Sequence, residues 1–191
     1  MRKRLIDILM SVIGGLVLFP ILILIYIILA LFQKGPVFFF QERIGIGGEP
    51  FNIVKFRSMT ASSEKQGVPM LAKVNDSRQT PIGRFLRRHH LDELPQLWNV
   101  IKGDMSIVGP RPERQYFIDR IVERNPRYVE LYKIRPGLTS YATLYNGYTD
   151  TIDKMLQRLE MDLYYMEHSS LRGDLKIILL TVKRMIMGGE R

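Results

Sequence analysis

The amino-acid sequence predicts an α+β protein, mainly helical, carried on an N-terminal membrane helix. Three observations lead there. Residues 8–32 form a charge-free apolar run of 25 residues with Pro20 at its midpoint. Residues 37–41 and 51–56 read as two short strands, and Gly45, Gly47, Gly48 and Pro50 between them supply the turn chemistry of a β-hairpin. The remainder reads as amphipathic helical patterns interrupted by proline and glycine.

The apolar run is long enough to cross a bilayer. As a straight helix it would measure about 37 Å, against a hydrocarbon core of about 30 Å. Pro20 removes a backbone donor and clashes with the preceding turn, so a kink over residues 16–20 is expected. Each half would then reach only about 18 Å. Arg2, Lys3 and Arg4 precede the run, and Lys34 and Arg43 follow it. Positive residues stay on the cytoplasmic side. A spanning helix with its N-terminus inside would export the whole basic remainder of the chain. A re-entrant helix, bent at Pro20 and leaving by the face it entered, keeps both basic flanks in the cytoplasm. A kinked transmembrane anchor is the alternative. A cleaved signal peptide fits poorly, because the run exceeds the usual apolar length of about 7–15 residues and no A-x-A-like site follows. The expected division is a membrane helix over 1–34 and a cytoplasmic domain over 35–191, with membrane-surface helices and enough chain for one core.

The chain has 28 Lys and Arg against 19 Asp and Glu, a net charge of +9. That excess suits nucleic acid, an anionic membrane surface or phosphorylated substrates, and the apolar run favours the last two. With no cysteine there is no disulfide framework and no Cys-based zinc site. The three histidines, His89 and His90 adjacent, make no metal-ligand pattern.

Several elements follow in order. Residues 61–76 are polar and read as a surface loop. Residues 81–88 place Ile82, Phe85 and Leu86 on one helical face beside Arg84, Arg87 and Arg88, and 91–101 form a second helical pattern. Gly109-Pro110-Arg111-Pro112 fits neither helix nor inner strand and reads as a rigid loop. Residues 113–124 are helical and stop at Asn125-Pro126; 128–134 are amphipathic and end at Pro136-Gly137. Residues 152–165 and 171–187 look helical. The last sets Leu175, Ile178, Leu179, Val182, Met185 and Ile186 beside Lys176, Lys183 and Arg184. It suits a membrane surface and a domain core about equally.

Two groups of residues can carry chemistry. Asp92 and Glu93 are adjacent carboxylates, about 100° apart on a helix. They do not face each other to share a proton, but they can hold a cation or take separate roles. Asp92 also precedes a helical pattern with Pro95 in its first turn, so a capping Asp92 and a Glu93 that favours the helix dipole are the simpler reading from spacing alone. The second group is cationic: Lys55 and Arg57 after a strand, Arg84, Arg87 and Arg88 before the carboxylates, and Arg111 between Pro110 and Pro112. Arginine binds phosphate oxygens in pairs through its planar fork. The flanking prolines give Arg111 a preorganised backbone, whereas Arg84 and Arg88 fit a solvated basic face. Carboxylates bind Mg²⁺ through oxygen, cations stabilise a transferring phosphoryl group, and an Asp carboxylate can be the nucleophile.

At these residues the chain resembles the bacterial sugar transferases, specifically the small monotopic polyprenyl-phosphate phosphoglycosyl transferases. Nearly the whole chain takes part. The most specific stretch is residues 91–113, LDELPQLWNVIKGDMSIVGPRPE, supported by QERIG at 41–45, KFRSM at 55–59, DSR at 76–78, TPIGRFLR at 80–87, RPGLT at 135–139 and DLYY at 162–165. The resemblance implies transfer of a sugar-1-phosphate from a UDP-sugar to polyprenyl (undecaprenyl) phosphate with release of UMP, the first membrane step in making a glycoconjugate. It implies Asp92 as nucleophile through a covalent phosphosugar intermediate, and Glu93 as a Mg²⁺ ligand alongside Asp92. Lys55, Arg57, Arg87, Arg111 and Arg135 would hold phosphates. It also implies the re-entrant helix at Phe19-Pro20, a place on the cytoplasmic face of the bacterial inner membrane beside anionic lipid, and no nucleic-acid partner; a homodimer stays open. Larger members add N-terminal transmembrane helices and a further domain, so this chain is expected to be the minimal form. Two departures stand out: Ser140-Tyr141-Ala142-Thr143 where glycine and Ala-Gln are usual, and His89-His90 where smaller polar residues are common. Both bear on sugar or nucleotide specificity. Competing readings are a nucleotide-sugar glycosyltransferase that releases UDP, a non-catalytic membrane scaffold, and, from charge alone, a nucleic-acid-binding membrane protein without a recognisable motif.

Overall fold

The structure is a computed structural model that describes residues 2–60, 69–71, 76–147 and 149–188. It opens with α1, Arg2–Phe32, a single helix that runs through Pro20. By length and composition it is able to cross a membrane. Its two ends lie on the rest of the chain and its middle does not. Near the N-terminal end Asp7 and Ser11 are buried. The Asp7 carboxylate accepts from Ser106 Oγ at 2.8 Å and from the Ile107 backbone N–H at 3.2 Å. Arg4 donates to the carbonyls of Val100 and Ile101, and Lys3 ion-pairs with Asp174. Near the C-terminal end Ile25 and Leu29 pack with Phe56 and Leu86. Between these anchors Leu16, Val17 and Phe19 are exposed.

The hairpin forms as the glycine-rich turn requires. Strand β1, Phe38–Ile44, pairs antiparallel with β2, Pro50–Phe56, with Phe38 opposite Phe56 and Phe40 opposite Val54. β1 extends past its apolar stretch to Ile44, and Arg43, opposite Phe51 and one pair short of the turn, is held by the buried Glu113. Helix α2, Pro81–Arg88, starts where Thr80 Oγ1 accepts from Gly83 N–H at 2.9 Å and Pro81 fills the first position. A 3-10 turn, Leu91–Gln96, leads into α3, Leu97–Lys102; Pro95, which lacks an N–H, accounts for the tighter turn where an unbroken helical pattern was expected.

Two three-residue strands escape the sequence pattern. β3, Ser106–Val108, pairs in parallel with β4, Gly137–Thr139. The chains approach so closely that a Cβ on Gly137 would stand 2.1 Å from the Gly109 nitrogen. Then come α4, Gln115–Arg124, a 3-10 segment over Pro126–Lys133 capped by Asn125, and α5, Tyr141–Tyr145. The chain closes with α6, Ile152–His168, and α7, Leu171–Met187. One core gathers Phe117, Ile118 and Ile121 of α4 with Met155, Leu159 and Leu163 of α6; a second joins Ile53, Val100, Met105, Val108 and Ile177. α7 packs one face on the domain and leaves an apolar face uncovered. Asp174 and Ile177 are buried, while Leu171, Leu175, Leu179, Val182 and Ile186 form an exposed apolar stripe. The expected polar loop over 61–76 lies largely outside the described residues.

Candidate active site

The two carboxylates sit in the 3-10 turn Leu91–Gln96, and the turn begins on His90 at φ 54°. That left-handed value is uncommon outside glycine. It reverses the chain sharply after α2 and turns Asp92 and Glu93 inward, where they are 2 % and 4 % exposed. The capping reading of Asp92 is therefore overturned: His90 occupies the cap position, and Asp92 lies within the turn.

Asp92 lines a cavity of about 470 Å³. Its Oδ1 is buried and has no hydrogen-bond partner among the described residues. Such an oxygen is costly to leave unpaired, which marks it for a ligand. Glu93 answers a different need. Its Oε1 accepts from Lys55 Nζ at 2.8 Å and from Arg111 Nη2 at 2.9 Å. The strand β2 delivers Lys55, and the Pro110–Pro112 frame delivers Arg111. Burial pulls the Lys55 ammonium down to about 8 in spite of Glu93, while Glu93 raises the Arg111 guanidinium above its already high value. Both side chains stay cationic at neutral pH.

Beneath the Arg111 loop lies a charged layer. Glu113 pairs with Arg43 at 3.1 Å and with Arg158 at 2.5 Å. Burial would lift the Glu113 carboxyl, but Arg158 and Arg43 hold it below the ordinary range. Asp162 accepts from the Arg111 backbone N–H, yet burial drives its carboxyl up to about 7. This layer fixes the loop from below.

Of the five cations expected at the site, Lys55, Arg57, Arg87 and Arg111 line the cavity. Arg135 does not: its Nε donates to the Gly103 carbonyl at 2.9 Å, where it holds the end of α3. Pro110 and Pro112 flank Arg111 as expected, and Pro20 lies away from the cavity in α1. Sequence reasoning missed Arg43, Glu113 and Arg158 as cavity residues; in the sequence Arg43 is a membrane flank and part of the QERIG stretch, with no sign of its partner. The 140–143 departure reaches the site as well. Ser140 caps α5 in a capping box with Thr143, and Thr143 lines the cavity.

The two carboxylates of the turn, Asp92 and Glu93, are oxygen donors. Among the described residues no group of three or more His, Cys, Asp or Glu gathers as a metal cage. An unpaired Asp92 Oδ1 next to Glu93 nevertheless fits Mg²⁺, which commonly takes one or two carboxylates and completes its shell with substrate phosphates and water.

A family profile described as bacterial sugar transferase matches residues 1–188. The chain is 38% identical over 186 residues to the UDP-N-acetylgalactosamine-undecaprenyl-phosphate N-acetylgalactosaminephosphotransferase of Aeromonas hydrophila, covering 97% of this chain and 44% of that protein. It is 40% identical over 188 residues to a UDP-glucose:undecaprenyl-phosphate glucose-1-phosphate transferase of Caulobacter vibrioides, with 97% and 70% covered. It is 42% identical over 182 residues to the protein of that name from Escherichia coli, with 94% and 39% covered. The chain thus spans less than half the length of two of these relatives. By the profile match and by these identities, the chain belongs to the bacterial sugar transferase family.

Proposed function

We propose that this protein transfers a sugar-1-phosphate from a UDP-sugar to polyprenyl phosphate and releases UMP. The observation that carries the reading is the unpaired, buried Asp92 Oδ1 on the cavity wall, beside Lys55 and Arg111 fixed on Glu93. The named activities of the relatives support the same class of donor and acceptor.

The residues divide the work as follows. The sugar-linked phosphate enters between Lys55 and Arg111, whose charges offset its own. The Asp92 carboxylate attacks that phosphorus. A bond forms from Asp92 oxygen to phosphorus, the bond from phosphorus to the bridging oxygen of the UMP phosphate breaks, and UMP leaves with the electron pair. The acceptor's phosphate oxygen then attacks the same phosphorus. Its bond to Asp92 breaks, the carboxylate is restored, and the lipid carries a sugar diphosphate. Positioned cations stabilise the charge on the transferring group in both steps. Mg²⁺, held by Asp92 with Glu93, would supply further charge neutralisation at the phosphates.

The membrane reading is part of the proposal. Helix α1 enters the cytoplasmic face of the bacterial inner membrane, bends at Pro20 and returns, so that 1–34 is the insert and 35–191 the catalytic domain. Support comes from the two anchors of α1 on one domain, Asp7 with Ser106 and Leu29 with Phe56 and Leu86, around an exposed apolar middle. The exposed stripe of α7 suits the same surface and its anionic lipid. The product decides the function: turnover of UDP-glucose or UDP-N-acetylgalactosamine with undecaprenyl phosphate should yield UMP. Release of UDP would assign a glycosyltransferase instead.

A further inference from the structure

We infer that Arg57 seats the phosphate of the lipid acceptor, apart from the cations that hold the donor; this rests on the transfer reaction proposed above. Arg57 follows β2 directly, and its N–H donates to the Val37 carbonyl at 2.9 Å, which extends the hairpin by one step. The residue is only 7 % exposed. Its Nη1 is buried with no hydrogen-bond partner among the described residues. Among the described residues its one side-chain bond, from Nε to Gln33 Oε1 at 3.4 Å, goes to a neutral amide just past the end of α1. A buried guanidinium that faces a cavity and has no carboxylate bonded to it among the described residues calls for an anion.

Two features say which anion. The first is position. Lys55 and Arg57 are alternate residues, so they share a face of the strand about 7 Å apart. Lys55 is committed to Glu93 beside Asp92. Arg57 stands one step away, on the side where α1 leaves the membrane insert. Gly35 is shaped for it there: at φ 99° it passes so close that a Cβ would lie 2.5 Å from Arg57 Nη1.

The second feature is an aromatic lane. Tyr26 of α1 meets Phe38 at 5.9 Å between ring centroids, and Phe38 stacks on Phe56 at 5.4 Å. Tyr26 is half exposed on the membrane helix, whereas Phe38 and Phe56 line the cavity with Pro36 and Arg57. The lane leads from the membrane helix to the unpaired guanidinium. It fits a phosphomonoester on a long apolar chain that approaches from the membrane side. Arg57 neutralises the acceptor phosphate as its oxygen approaches the phosphorus on Asp92, where two anions would otherwise repel.

The two half-reactions separate the acceptor from the donor. The full chain in nanodiscs is given UDP-glucose or UDP-N-acetylgalactosamine alone, and UMP release is read; undecaprenyl phosphate is then added and loss of the adduct is followed. Absence of UMP release in the wild type would sink the transfer reading itself. Given that release, Arg57→Gln should raise the acceptor KM about tenfold or more while the first step falls far less, and Arg57→Lys should restore part of the loss. Phe38→Ala should raise the KM for undecaprenyl phosphate more than for the short-chain geranyl phosphate. If Arg57→Gln does not fold, Arg57→Lys and Phe38→Ala are read in its place. The assignment is overturned if both half-reactions fall together in the Arg57 variants, or if the acceptor KM stays at the wild-type value.

Discussion

Glu93 and Arg111 stand 18 positions apart and meet at 2.9 Å, Arg111 Nη2 donating to the Glu93 oxygen that also receives Lys55. One buried carboxylate thus aims two cations at the space in front of Asp92. Glu93→Gln should leave both cations uncompensated. We expect the donor KM to rise and turnover to fall by about a hundredfold, with a stability cost of about 3 kcal/mol. Steady-state kinetics with a denaturation curve checks both; a wild-type rate would reduce Glu93 to a structural residue.

Lys55 gives the site a pH limit. Its ammonium is pulled down to about 8 by burial, so the free enzyme loses a phosphate-binding charge as pH rises through that value. kcat/KM for the UDP-sugar should fall above about pH 8. Lys55→Arg, whose charge persists, should shift that fall upward. The stability effect has the opposite sign. Between about 8 and the ordinary lysine value near 10.4 the unfolded chain binds more protons, so the cost of burying this charge is relieved as pH rises through that window.

Much of this site was legible in the sequence because its specific residues cluster in one stretch. The Pro110–Pro112 frame could be read as rigid from proline chemistry alone, and Arg111 indeed stands there. The β-hairpin followed from its glycines and prolines. What could not be read is tertiary. β3 and β4 are three residues each, too short for periodicity, and they exist because Gly109 and Gly137 permit backbone contact. Arg43 looked like a membrane flank because its partner Glu113 is 70 positions away. Arg135 sits in a family-like stretch but turns to Gly103. His90 gave no sign of its left-handed backbone, and so Asp92 passed for a cap.

The metal should be needed. With the carboxylates Asp92 and Glu93 as the donors facing the substrate phosphates, Mg²⁺ is the expected ion. Excess EDTA should abolish turnover and Mg²⁺ should restore it. Full activity in EDTA would remove the metal from the account.

The helix α1 should not cross the membrane. The chain has no native cysteine, so single cysteines at the exposed positions Arg2 and Glu49 report cleanly. Both should be labelled from the cytoplasmic side. Labelling of position 2 only from the periplasm would contradict the re-entrant insert. Pro20→Leu should raise the fraction of molecules that span, because it puts a helix-compatible residue at position 20.

The most direct measurement is the mass of the enzyme after exposure to UDP-sugar without lipid acceptor. We expect release of up to one UMP per active site, a gain of one phosphosugar, and a site of attachment at Asp92. Asp92→Asn should keep its fold and lose both. An adduct on another residue, or sequential kinetics without any adduct, would contradict the account and leave Asp92 a different role.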